Sequence, residues 1–276
     1  GAPTTGIVVC PDVWGWNGGR VRAIADALAA NGHLVVVAKL LAPGVDGGTD
    51  GDALPPDGEF SMGWIKGFPW EKQKPKVEAA LAYLKGKGAS KIGVFGLCYG
   101  GHPACWASAT WPADVACGAV VHPSMQLETF AFGGDTAALL KSVTCPFYLA
   151  PAGNDLPMWS ADGEFGAALK ASARGSECAW RDFPDMAHGW TVRGDLAEAA
   201  VARDAEAALA DVTAFFGKHR GTASSLGRAS GLNRPEGAAA WWERRRRVRR
   251  ARRPGPLGVR ALAVVRVQRV ARVPRA

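Results

Sequence analysis

Residues 91–101 run Lys-Ile-Gly-Val-Phe-Gly-Leu-Cys-Tyr-Gly-Gly. The apolar run over 91–95 has the composition of a buried strand, and it leads directly into Gly96-Leu97-Cys98-Tyr99-Gly100. A nucleophile elbow demands that shape: the chain leaves a strand, turns sharply and enters a helix, with one reactive side chain at the apex. Glycines two residues before and two after the apex keep side chains out of the crowded turn. The apex residue here is a thiol, Cys98, and the stretch from Gly101 to about residue 109 has helical character.

An elbow nucleophile needs a base, and the base needs a group to orient it. The apolar run at 145–150 is followed by Gly153-Asn154-Asp155. The strand candidate at 178–183 ends in Pro184-Asp185-Met186-Ala187-His188-Gly189. Cys98, Asp155 and His188 therefore follow the nucleophile, acid, histidine order of α/β-hydrolases, each just past the C-terminal end of a strand. Ligands bind at that edge of a parallel sheet. Asp162 and Asp185 compete with Asp155, since an Asp after Gly-Asn is commonly a turn former. Cys10, Cys105, Cys117, Cys145 and Cys178 fall in apolar strands, a helix or a strand opening, and are expected to be small buried hydrophobes. His122 closes the strand candidate 116–121, where it could line the rim of the site.

The chemistry is coherent. A thiol at the first turn of a helix feels the positive end of the macrodipole, which favours thiolate. His188 is expected to pair with it or shuttle its proton, and Asp155 to fix the imidazole tautomer. The N–H of Tyr99, just after the nucleophile, is expected to form half of an oxyanion hole.

With these residues assembled, the chain resembles the dienelactone hydrolase family, the cysteine branch of the α/β-hydrolase fold. The likeness covers roughly residues 4–218. It rests on Asp12-Val13-Trp14-Gly15-Trp16-Asn17, Gly96-Leu97-Cys98-Tyr99-Gly100-Gly101, Gly153-Asn154-Asp155 and His188-Gly189-Trp190-Thr191-Val192-Arg193. The Asp-Val-Trp-Gly-Trp and His-Gly-Trp wording looks most like eukaryotic or algal members. The resemblance implies that Cys98 attacks an ester or enol-lactone carbonyl and that the acyl-enzyme is then hydrolysed. It implies Val13 N–H as the second oxyanion donor. It aligns Asp12 with a family glutamate that modulates the thiol; a simple turn carboxylate is the other reading of Asp12. Arg193 matches a substrate-carboxylate arginine, a task that bidentate pairing suits, or it is a solvated surface Arg. Trp14, Trp159 and Trp190 flank the motifs, and Trp14 and Trp190 are expected to contact substrate, although core packing is the commoner use of Trp. A relative with the fold kept and the chemistry lost stays open, because Asp12 replaces the family's glutamate and a second substrate arginine has no match.

Around these motifs, short apolar runs alternate with helical stretches, the signature of βαβ units. Strands are expected near 5–10, 34–38, 91–95, 116–121, 145–150 and 177–183. Helices are expected near 20–30, 75–86, 101–109, 162–173 and 196–218. The fold class is therefore α/β, with a mostly parallel central sheet and helices on both faces. Residues 1–219 suit one domain with its own core, and the Gly/Pro/Asp-rich segment 42–72 is expected to cap the site or to be partly structured. The chain opens at Gly1 directly on a strand, where family members carry edge strands first, so those strands are expected to be missing.

The character changes after residue 219. Residues 220–276 hold 16 Arg, no Lys and 2 acidic residues, a balance of +14, whereas residues 1–219 stand at −6 within the chain's net +8. The basic balance thus belongs to the tail, whose dense run at 244–253 could bind nucleic-acid phosphates. The duller reading is a disordered low-complexity extension or a gene-model artefact. No apolar run is long enough to span a membrane. Six cysteines without paired spacing fit a reducing compartment, so the expected location is cytoplasmic. No zinc spacing and no phosphate loop is present, so no cofactor or metal is expected. The expected partner is a small ester or lactone, and the expected state is monomer or dimer.

Overall fold

The computed structural model of the chain describes residues 5–41 and 62–219. Its strands are β1 (Thr5–Cys10), β2 (Leu34–Val37), β3 (Lys91–Leu97), β4 (Val115–Val121), β5 (Phe147–Ala150) and β6 (Ala179–Trp180). They form one six-stranded sheet in the order β2-β1-β3-β4-β5-β6, and every pairing is parallel. The helices are α1 (Val21–Ala30), α2 (Met62–Ile65), α3 (Trp70–Gly86), α4 (Gly101–Thr110), α5 (Leu127–Phe130), α6 (Thr136–Lys141), α7 (Glu164–Lys170), α8 (Trp190–Arg193) and α9 (Ala199–His219).

Why both faces of the sheet are apolar follows from strand periodicity. Along β1, Val8 and Cys10 point into one cluster, with α3, α4, α6 and α7. Ile7 and Val9 point into the other, with α1, α8 and α9. The sheet is thus the middle of three layers, and its strands all deliver their C-terminal ends to one edge.

Several elements depart from expectation. β5 starts at Phe147 rather than at residue 145, because Pro146 has no N–H for a ladder and only its carbonyl serves, accepting from Gly118 N–H at 2.9 Å. Cys145 accordingly lies in a bend outside the strand. The strand expected over 177–183 shrinks to two half-buried residues, because β6 is an edge strand paired on one side only. A single bridge, Ala152 to Phe183, resumes the ladder further on. Cys178 is half-buried rather than a core residue. α3 begins a turn earlier than Pro75, which sits inside the helix and forgoes one backbone bond there. α2, α5, α6 and α8 were not legible in the sequence, being four to six residues long, too short for a period to show. Of the segment 42–72, the portion from residue 62 is structured, and residues 42–61 lie outside the described residues, as does the tail 220–276.

Candidate active site

β3 ends at Leu97, and Cys98 then takes φ +53 at the head of a 3₁₀ turn over Cys98–Gly100. For a residue with a Cβ this left-handed backbone is strained, by about 1–3 kcal/mol. Close packing holds it there. A Cβ on Gly100 would meet the Cys10 carbonyl oxygen at 1.9 Å, and one on Gly96 would meet Gly100 O at 2.6 Å. The elbow is therefore pressed against the exit of β1. Tyr99, fully buried, donates its hydroxyl to Phe68 O at 2.8 Å and ties the elbow to the segment before α3.

Past β5, Asp155 folds back on its own turn: Oδ2 accepts from Ala152 N–H at 2.7 Å, and Asp155 N–H donates to Ala152 O at 3.1 Å. Oδ1 lies 2.5 Å from His188 Nδ1. His188 N–H in turn donates to Asn154 Oδ1 at 2.6 Å and Gly153 N–H to Met186 O at 2.9 Å, so three hydrogen bonds stitch the loops after β5 and β6 together. Burial pushes the imidazole of His188 down, but the bond to Asp155, the nearby Cys98 sulfur and their charges push it up further, to about 10, which favours the protonated ring. The rival carboxylates are elsewhere: Asp162 is exposed and pairs with Lys170 at 3.2 Å, and Asp185 is exposed. Cys98, His188 and Asp155 meet, although 57 and 33 residues separate successive members along the chain.

The other expected site residues divide into two groups. Val13 and Cys98 are both partly buried against the same core cluster, and Tyr99 N–H belongs to the first turn after the strand, where amides have no intrahelical acceptor. Asp12, buried, accepts from Trp14 N–H at 3.0 Å through Oδ1, the geometry of a turn carboxylate. Its Oδ2 faces Arg193 Nε at 3.8 Å, and that guanidinium lies 4.1 Å above the Trp14 ring. Asp12, Trp14 and Arg193 thus form one stacked group. Trp190 is different: it is buried against Phe183 and His122 in the core, which takes it out of the substrate-contacting set. Trp159, fully buried, packs on Phe165 and donates to Gln126. Both are core tryptophans, Trp159 in the cluster on one face of the sheet and Trp190 in that on the other.

Several neighbours escaped the sequence reading or stand elsewhere than it expected. Ser124 Oγ lies 3.6 Å from Cys98 Sγ. His122, far from lining a rim, is fully buried with its ring centroid 5.1 Å from that of His188. Arg20 donates to three carbonyls of the α8 region, Thr191 at 3.0 Å, Gly194 at 2.6 Å and Trp190 at 2.5 Å, and so braces the turn that follows His188. Behind the elbow helix, His102 Nε2 and Trp106 Nε1 both meet Glu128 Oε2, at 2.6 and 2.9 Å. Burial holds His102 below its ordinary value despite that carboxylate. The rule that chemistry collects at strand C-termini, which had drawn attention to His122, would have pointed to Ser124 as well, since both follow β4. Among the described residues, no group of three or more His, Cys, Asp or Glu is arranged to hold a metal, and no helix is long and apolar enough to cross a membrane.

A parallel sheet covered on both faces, with a strained elbow at one strand end and a carboxylate–imidazole pair from two later loops, defines an α/β-hydrolase fold. A profile of the Dienelactone hydrolase family matches residues 1–220, and the chain belongs to that family. A carboxymethylenebutenolidase homolog of Rattus norvegicus is 31% identical over 119 residues, 42% of this chain and 45% of that protein. The chain therefore spans less than half the length of that relative in the match. Hydrolase tropI of Talaromyces stipitatus is 26% identical over 226 residues, covering 78% of this chain and 81% of that one. Among solved structures, a Klebsiella pneumoniae protein assigned as a dienelactone hydrolase superposes with a TM-score of 0.61 at 15% identity, over 79% of this chain and 88% of the other. At that identity the likeness concerns the fold alone.

Proposed function

We propose that this chain is a cysteine-dependent hydrolase of a small carboxylic ester or lactone. The observation that carries the reading is His188, paired with Asp155 at 2.5 Å and close enough to Cys98, at the apex of the elbow, for the sulfur to help raise its imidazole. In this mechanism the Cys98 sulfur attacks the carbonyl carbon, and the carbonyl oxygen gathers negative charge against the N–H groups of Tyr99 and Val13. His188, already protonated, gives its proton to the departing alkoxide, which leaves as alcohol. For a lactone the alkoxide stays attached as the far end of the acyl chain. The thioester formed on Cys98 is then attacked by water, whose proton His188 accepts, and the carboxylic acid departs with the thiolate restored. Asp155 keeps Nδ1 of His188 bonded throughout, so Nε2 faces the sulfur.

Substrate character is a further part of the proposal. The Trp14–Arg193 stack offers an aromatic face beside a cation, which favours an ester or lactone carrying an aryl or carboxylate group. Asp12 already draws on that cation, so its negative charge competes with a substrate carboxylate for Arg193. Accessible Cys98 must stay reduced to work, which favours a reducing compartment. The test is hydrolysis of a panel of p-nitrophenyl acetate and dienelactones by the full chain, wild type against Cys98→Ala. A loss of at least about 10³-fold with the fold intact is expected, and turnover retained by the alanine variant sinks the proposal.

A further inference from the structure

His122 follows the last residue of β4 and takes φ +44. It also precedes Pro123, and a residue before proline is pushed towards extended backbone. Nothing local favours the conformation, so the surroundings must impose it. Among the described residues, the other non-glycine residue with positive φ is Cys98, at the end of the neighbouring strand. The two strained positions therefore stand side by side at the catalytic edge of the sheet.

The tertiary contacts say what the strain achieves. His122 N–H donates to Ala150 O at 2.8 Å, which carries the β4–β5 ladder one residue past the strand. The side chain is thereby turned inward and fully buried. Its ring stands edge-to-face with His188 at 5.1 Å and 64°, and with Trp190 at 5.2 Å and 73°. Nε2 bonds Thr191 Oγ1 at 2.7 Å, whereas Nδ1 has no hydrogen-bond partner among the described residues. A buried imidazole with one nitrogen unused, on a strained backbone, is a poor choice for stability alone. Burial and the adjacent positive His188 both hold it far below the ordinary histidine value, so the ring is neutral.

His188 needs such a neighbour. It sits on a loop with a third of its side chain exposed, and its Asp155 bond restrains one edge of the ring only. A ring held at Nδ1 alone can still tilt about that bond and carry Nε2 away from the sulfur. We propose that His122 is a positioning residue, a buried neutral ring anchored on Thr191 that stops this tilt and keeps His188 aligned between Asp155 and Cys98. The proposal rests on the reading of Cys98 and His188 as the reacting pair. Neutrality matters because a protonated ring at this distance would repel the His188 imidazolium. The groups facing His122 are His188, Trp190, Thr191 and the Ala150 carbonyl; those facing His188 are Asp155, Cys98 and His122 itself.

The experiment uses the full chain and three variants: His122→Asn, whose side chain tolerates left-handed backbone, His122→Phe, which restores a ring, and Thr191→Val, which removes the anchor. Two readouts are taken, the titration of His188 by side-chain ¹⁵N NMR (assigned with His188→Gln) and the kcat and KM for p-nitrophenyl acetate. The expected result for folded His122→Asn is a His188 titration displaced towards the ordinary imidazole range. Its kcat is expected to fall roughly 10- to 100-fold, with KM within about threefold, and His122→Phe, which restores the ring but not the bond to Thr191, to recover only part of that loss. A folded His122→Asn protein with unchanged His188 titration and kcat overturns the proposal, as does a loss confined to KM. If His122→Asn does not fold, Thr191→Val decides on the same two readouts, and an unchanged titration overturns the proposal. The NMR arm needs no turnover, so an inactive wild-type protein would refute the proposed hydrolase while still judging His122.

Discussion

Replacing Gly100 with alanine puts the seating of the elbow on β1 to a quantitative test. The new Cβ would lie 1.9 Å from Cys10 O, 2.5 Å from Cys10 C and 2.6 Å from Pro11 O. These are backbone atoms, so no rotamer change relieves the clash. Contacts under 3.0 Å are not sustained, so the elbow and the β1 exit must part by about 1 Å or more. Tyr99 belongs to the elbow and Val13 to the segment after β1, so the two N–H groups proposed as oxyanion donors flank that seam. A shift of about 1 Å at reacting groups costs on the order of 10²-fold, and losing one oxyanion donor costs about 10²–10³-fold. The expected outcome for Gly100→Ala is therefore a kcat/KM lower by at least about 10²-fold, with stability lower by about 1–3 kcal/mol. p-Nitrophenyl acetate kinetics and a urea melt measure the two quantities. Gly217→Ala supplies the control: this helix position has nothing within 4 Å of the new Cβ, and a gain of about 0.5–1 kcal/mol is expected. A Gly100→Ala protein with kcat/KM within about threefold of wild type would refute the reasoning.

Two further predictions concern the loop that carries His188. The imidazole is held at about 10, above its ordinary 6.5, so its charged-state contribution is complete below about pH 6.5 and is lost as pH rises through about 10. The alkaline limb of kcat/KM is expected near pH 10; a limb centred near pH 6.5 would contradict the pairing with Asp155 and Cys98. Arg20→Met removes the charged donors on the carbonyls of Trp190, Thr191 and Gly194. A loss of about 3 kcal/mol with a lower kcat is expected in denaturant melts and kinetics, and an unchanged melt would count against the brace.

The elbow was legible because its signal is local. Gly96 and Gly100 must lack side chains where backbone meets backbone, and Cys98 must stand between them, so the requirement is written within five residues. The alternation of β1 likewise anticipates both cores, since Val8 and Val9 point to opposite faces. β6 was overestimated because its apolar residues hold an edge pairing two residues long, and periodicity carries no information about whether a partner strand exists. Trp190 was misplaced for a related reason: its neighbour His188 is exposed, while a four-residue helix turns the indole into the core.

By itself, then, the sequence determined the strand–elbow–helix unit, the layered α/β class and the chain order of Cys98, Asp155 and His188. These follow from local sterics, residue spacing and the gathering of loops at one sheet edge. Only the tertiary structure decided that Asp155 rather than Asp162 or Asp185 meets His188, that Arg193 rests on Trp14, and that His122 stands beside His188 and Ser124 beside Cys98. Those outcomes depend on distances between residues tens of positions apart. Such distances are set by how the sheet and its helices pack, and no local pattern of residues encodes them.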